Sequence, residues 1–410
     1  MEALMRKYAT VLLESCLKLE KEQPLFISFN IERIDFARVV AEVAFEMGIK
    51  DLYFDSSDPY LKHEALKNLE IDELKDLSFW NKEMWNVYAK KKAAFLMLAS
   101  EMPGLMKDID PEKIKEMTKY SYKTRKTFDK MRDKSELSWC IAAVPTTGWA
   151  KAIFPDSKDP VTDLWNLIFD ICHMREEDPT KTWNEKMKRL TTRSNKLTNY
   201  QFKKLIYQSS NGTNFSVELP KNHIWASGKS WINNKKEVLV NFPTEEVFTS
   251  PDKNTANGIV YASKPLAYQE VLIKDFWITF KDGKVVNFDA KEGKETLEKM
   301  IHLCENSNYL GEVALVPFHS AISNTNKVFL ETLFDENASC HIALGDSFPE
   351  CIEKGEKQSK KKLQRDYGLN KCDSHVDFMI GTKDLSVTGI TEEGKGIPII
   401  ENGDFTKEFE

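Results

Sequence analysis

Residues 24–54 read PLFISFNIERIDFARVVAEVAFEMGIKDLYF, and this stretch decides the fold. Pro24 opens Leu25-Phe26-Ile27-Ser28-Phe29, a nearly continuous apolar run of strand length. From Asp35 the apolar positions Val39, Val40, Val43 and Ala44 are spaced for a helix that Gly48 stops. Leu52-Tyr53-Phe54 then gives a second short strand. A strand that is apolar on both faces needs cover on both, so this strand–helix–strand order predicts a mostly parallel, doubly wound sheet.

The pattern extends in both directions. Leu4, Tyr8, Leu12 and Leu13 place a helix over 3–18, Ala93 to Ala99 and Trp139 to Val144 are further buried strands, and 111–131 and 161–174 are helical. The first βα turn, Asn30-Ile31-Glu32-Arg33, has no glycine to admit a pyrophosphate, and there is no Walker sequence, which argues against a dinucleotide cofactor. A charged helix over 180–200 leads out of this half. Strand signals then dominate: Phe215 to Leu219, Val238 to Asn241, Gly258 to Ala262, Val271 to Phe280 and Val285 to Phe288, with Asp282-Gly283 as a two-residue hairpin turn. Helices interrupt near 294–304 and 349–366. The expected organisation is an N-terminal α/β domain over 1–195 and an α+β catalytic domain over 196–410.

Composition narrows the class of function. A chain of 410 residues with 41% hydrophobic content has enough apolar mass for two cores. Its net charge of -6 leaves no excess of cations to neutralise phosphates, so no nucleic-acid partner is expected. The basic runs Lys90 to Lys92 and Lys360 to Lys362 read as solvated faces. Glu2, Glu14, Glu20 and Glu22 interrupt what a secretory signal would need to keep apolar, and no run of about eighteen apolar residues offers a membrane span. Seven cysteines without a Cys-x-x-Cys pair fit a reducing compartment. A soluble cytoplasmic protein is expected.

The chemistry lies in the second half. Glu246, Glu312, His341, His375 and Asp377 are carboxylates and imidazoles, the ligand types of Zn²⁺, Co²⁺ and Mn²⁺. On a strand, His375-Val376-Asp377 would turn both end side chains to one face. Glu245 and Glu246 are adjacent, so on an extended backbone at most one of them serves a given cation. Each piece alone has a plainer explanation: a solvated acidic turn for the glutamates, a core histidine for His341, an ion pair for Asp377. Two histidines and several acids that all interrupt apolar runs within one domain point instead to a hydrolytic metal site.

Four segments carry a specific resemblance: residues 241–251 (NFPTEEVFTSP), 275–286 (DFWITFKDGKVV), 332–341 (TLFDENASCH) and 375–381 (HVDFMIG). They resemble the thermophilic-type metallo-aminopeptidases, the aminopeptidase T and aminopeptidase S family, and the likeness runs the length of the chain. The resemblance implies a dinuclear centre of Zn²⁺, Co²⁺ or Mn²⁺, release of residues from the free amino terminus of short peptides, and a homodimer. Carried over by position, it implies Glu246, Glu312, His341, His375 and Asp377 as ligands and Glu336 as a sixth. Glu245 is expected as the proton shuttle by analogy with dinuclear aminopeptidases of unrelated folds, where one glutamate of an adjacent pair is a ligand and the other the general base.

One position departs from the family. A tyrosine usually precedes the proline after the His-Ile-Ala-Leu-Gly segment, and here Phe348 precedes Pro349. Losing one oxyanion donor costs on the order of 3 kcal/mol, roughly a hundredfold in rate. Either a neighbouring hydroxyl such as Ser347 or Tyr367 substitutes, or the enzyme is slower, or the tyrosine is dispensable. Phe348 also motivates the alternative of a metal- or peptide-binding protein of the same fold with reduced or lost turnover. A hydrolase of phosphates or other amides gains less support, because no Gly-rich or Arg-rich phosphate cradle accompanies the ligands.

Overall fold

A computed structural model describes Met1 to Glu410 apart from Glu101, Asn234 and Glu270, and only the backbone of residues 77–82, Pro111 and Tyr122. The chain divides into two units, Met1–Asn184 with Lys229–Pro243, and Glu185–Gly228 with Thr244–Glu410.

The first unit is built on a five-stranded sheet: β1 (Leu25–Asn30), β2 (Leu52–Ser57), β3 (Ala94–Ala99), β4 (Trp139–Ala143) and β5 (Asn241–Phe242). All neighbours are parallel and the order is 2-1-3-4-5, a doubly wound sheet. Leu25, Phe26, Ile27 and Phe29 are all buried, as a strand covered on both faces requires. Gly48 ends the helix Ile34–Glu46 at φ +91°, a conformation that costs glycine little. Phe26 centres an aromatic cluster, its ring 5.0 Å from Phe95 and 4.8 Å from Trp85, with Phe128 4.7 Å from Phe95. Phe26→Ala would open this core at a cost of about 3–5 kcal/mol.

Three details differ from the sequence reading. The helix expected over 111–131 is two, Pro111–Thr124 and Lys126–Asp133, parted at Arg125. The segment 229–243, read as part of the second domain, belongs to the first unit: Lys229–Ile232 and Lys236–Leu239 form a hairpin, and β5 joins β4. Alternation alone cannot reveal that a strand returns to an earlier sheet. The expected boundary at 195/196 falls inside the helix Pro179–Tyr200.

The second unit holds two antiparallel sheets. A nine-stranded one includes the hairpin Val271–Lys281/Lys284–Glu292, whose turn residues Asp282 and Gly283 have φ of +49° and +83°. The smaller sheet has β6 (Val247–Thr249), β7 (Leu310–Leu315), β8 (His341–Gly345) and β9 (His375–Met379), in that order. Val313, Ile342 and Phe378 pair across one face of it, and Phe378 meets Phe276 of the larger sheet at 5.5 Å. No helix among the described residues is long and apolar enough to cross a membrane.

Candidate active site

The register of the smaller sheet assembles the site. Glu312 pairs with Ala343, which pairs with Asp377; Ala314 pairs with His341; His375 pairs with Gly345. With a side-chain period of two, Glu312, His341, His375 and Asp377 therefore share one face while the apolar rows face the other. A slip of one residue would bury the acids in the core. Two glycines secure this register. Gly311 forms a bulge where a Cβ would lie 2.1 Å from the Asp346 carbonyl oxygen, and Gly345, at φ +120°, sits where a Cβ would lie 2.0 Å from that of Ser374.

Two triplets of ligand-type atoms result, each within 4.8 Å: Glu246 with Glu312 and His341, and Glu312 with His375 and Asp377. Glu312 belongs to both. His341 Nε2 lies 3.3 Å from a Glu246 oxygen, and His375 Nε2 lies 3.0 Å from Glu312 and 3.3 Å from Asp377. The opposite ring nitrogens are committed to backbone carbonyls, His341 Nδ1 to Ser339 at 3.2 Å and His375 Nδ1 to Asp346 at 2.8 Å. Such bonds fix the tautomer and aim Nε2 into the cluster, as in metal sites.

The electrostatics agree with a cation site. Glu246, Glu312 and His341 are at most 5% exposed. Burial, reinforced by Asp377, lifts the Glu312 carboxyl to about 7 against its bond to His375. Burial also opposes charge on His341, yet its bond to Glu246 together with Glu312 and Asp377 raise it to about 9. Glu336 lies outside both triplets, and its carboxyl is pushed well above the usual range by burial and then by Glu246, Asp377 and Glu312. Asp377 Oδ1 is buried, with His375 Nε2 at 3.3 Å beside it. Buried acids in such number are costly unless positive charge compensates them, so the donor set fits divalent cations.

Glu245 is turned to other partners. Its backbone N–H donates to Asn337 Oδ1 at 2.7 Å, and its carboxylate is bonded to the buried ammonium of Lys186. Lys186, Asn337, Ser339 and Asp346 were not singled out by sequence. Only Lys186 left a signal there, a charge on the same helical stripe as Leu190 and Leu197. Phe348 lies at the edge of the site, its ring 4.9 Å from His375 and 5.3 Å from Phe248. The Ser347 hydroxyl accepts from the Asn370 N–H at 2.9 Å, and Tyr367 packs on Ile352, Leu363 and Leu369.

Comparison with known proteins gives a consistent result. Residues 1–405 match the model of a family described as thermophilic metalloprotease (M29). Aminopeptidase 2 of Geobacillus stearothermophilus is 36% identical over 98% of both chains, and aminopeptidase AmpS of Bacillus subtilis is 34% identical over 97% of both. The solved structure of wild-type AmpT from Thermus thermophilus superposes with a TM-score of 0.90 at 30% identity, covering 98% of this chain and 99% of that one.

Proposed function

The chain belongs to the thermophilic metalloprotease (M29) family and is a metallo-aminopeptidase, and from this we propose that it releases residues from the free amino terminus of short peptides at a dinuclear centre. The observation that carries the reading is Glu312, shared by two triplets. We assign Glu246, Glu312 and His341 to one cation and Glu312, His375 and Asp377 to the other, with Glu336 as an additional ligand. Zn²⁺, Co²⁺ and Mn²⁺ all suit this donor set. Divalent cations held there supply Lewis acidity, which lowers the pKa of water and polarises a carbonyl.

The protein's own groups do the rest. His341 and His375, held by the Ser339 and Asp346 carbonyls, keep their orientation as charge moves in the site. Glu245 is the proposed proton shuttle between the attacking water and the leaving amine. Glu336, which lies outside both triplets beside Glu246, Asp377 and Glu312, is the competing candidate should it hold no cation. Phe348 offers a ring but no hydroxyl beside His375, which favours a slow enzyme. On the family likeness and seven free thiols, we place the enzyme in the cytoplasm as a homodimer, without nucleic-acid or membrane partners.

The test is hydrolysis of an aminoacyl-p-nitroanilide by protein loaded with Co²⁺ or Zn²⁺, with metal content measured on the same sample. Turnover with two cations per chain is expected. A fully metallated protein without turnover would favour the binding-protein alternative, and one cation per chain at saturation would refute the dinuclear centre.

A further inference from the structure

Cys304 and Cys372 face each other with their sulfurs 3.1 Å apart. A disulfide bond is about 2.05 Å long, so closure needs an approach of roughly 1 Å. Cys304 is half-buried and reachable from solvent, whereas Cys372 is 8% exposed. The Ser374 hydroxyl lies 3.7 Å from the first sulfur and 3.3 Å from the second, a polar neighbour for a developing thiolate. The two loops are already joined around the pair, since Asn306 donates to the Lys371 carbonyl at 3.1 Å and Asn370 to that of Asn306 at 2.9 Å.

The pair is also wired to the site. The Cys372 N–H donates to Asp346 Oδ1 at 3.1 Å, and the Asp346 N–H donates to the Ser374 carbonyl at 2.7 Å. The same Asp346 accepts, through its carbonyl, the Nδ1 of His375 at 2.8 Å. Cys372 stands three residues before His375 in the chain. A movement of about 1 Å there has both a covalent and a hydrogen-bonded route to a site side chain, and displacements of that size cost enzymes up to about a hundredfold.

We propose that Cys304 and Cys372 form an oxidisable dithiol whose closure displaces His375 and lowers activity. With a low-molecular-weight disulfide such as oxidised glutathione, the Cys304 thiolate attacks one glutathione sulfur and expels a glutathione thiolate. The Cys372 thiolate then displaces the second glutathione from the mixed disulfide. Two electrons pass from the cysteine sulfurs to the glutathione sulfurs, and the two thiol protons end on the two released glutathiones. The effect on turnover rests on His375 serving the proposed metal centre; the cross-link does not.

The experiment treats the metal-loaded protein with oxidised glutathione, blocks remaining thiols and maps peptides without reductant, while peptidase rate and bound metal are followed. Joined Cys304 and Cys372 peptides are expected, with a loss of about tenfold or more in rate that dithiothreitol reverses. Cys304→Ser and Cys304→Ala should stay active and resist the oxidant. Absence of the cross-link, a cross-link with unchanged rate and metal content, or equal sensitivity in both Cys304 variants would each overturn the proposal. A protein with no peptidase activity before oxidation would instead count against the proposed function, and mapping and metal content would still decide whether the dithiol closes.

Discussion

The Phe348 ring packs on the imidazole of His375, centroids 4.9 Å apart and planes inclined at 59°. A tyrosine at this position, which the family resemblance leads us to expect, would carry a hydroxyl at the para position of that ring. The Ser347 hydroxyl is engaged by the Asn370 N–H, and Tyr367 packs on an apolar cluster. Phe348→Tyr should therefore raise kcat by up to about a hundredfold, the magnitude of one oxyanion donor. A donor used only in the transition state leaves KM largely unchanged. Steady-state kinetics on the fully metallated variant check this, and an unchanged kcat would show that no donor is missing.

Glu312 joins the two triplets, so its loss should be felt twice. Glu312→Gln should strip both cations, whereas His375→Ala should weaken the one shared with Asp377 and leave the Glu246–His341 side occupied. Both variants should lose activity by more than about a hundredfold, beyond the 10- to 100-fold typical of groups that only orient a ligand. Metal per chain, measured after dialysis, distinguishes the two. Full occupancy in Glu312→Gln would refute its bridging place.

Much of this site was legible before any geometry, because its residues break apolar periodicity. His375-Val376-Asp377 must point both ends one way on a strand, and β9 does so. The hairpin at Asp282-Gly283 was equally plain, since only a few residue types accept its two positive φ values. What escaped the sequence is long-range. That β5 returns to the first sheet depends on pairing with β4, about a hundred residues earlier in the chain. That Glu245 faces Lys186 depends on a helix whose charged residues look alike until one of them is seen to be buried.

Glu245 can be separated from its structural role. Glu245→Gln removes the carboxylate partner of a buried ammonium, which should destabilise the fold by up to about 3–5 kcal/mol. If Glu245 is the proton shuttle, the variant should also lose about 10²- to 10⁴-fold in kcat while keeping its metal. Lys186→Met combined with Glu245→Gln removes both charges and should recover much of the stability. Thermal denaturation and kinetics on the pair then decide: stability regained with turnover still lost supports the shuttle. Turnover regained with stability transfers that role to Glu336, and Glu336→Gln should then show the larger loss.

His223 predicts how stability depends on pH. It is 1% exposed, its Nδ1 bonded to the Pro220 carbonyl at 2.9 Å and its Nε2 without a partner. Burial lowers it from an ordinary 6.5 to about 4. Between those values the unfolded chain binds a proton that the folded protein refuses, so acid favours unfolding. The contribution is fully present above pH 6.5 and is lost progressively as pH falls toward 4, reaching about 3 kcal/mol at 1.36 kcal/mol per pH unit. His223→Gln cannot take up that proton. The stability difference between wild type and variant, measured by urea denaturation, should therefore shift toward the variant by about this amount between pH 7 and pH 4. A difference that stays constant across that range would show that His223 is protonated in the folded protein as readily as in water.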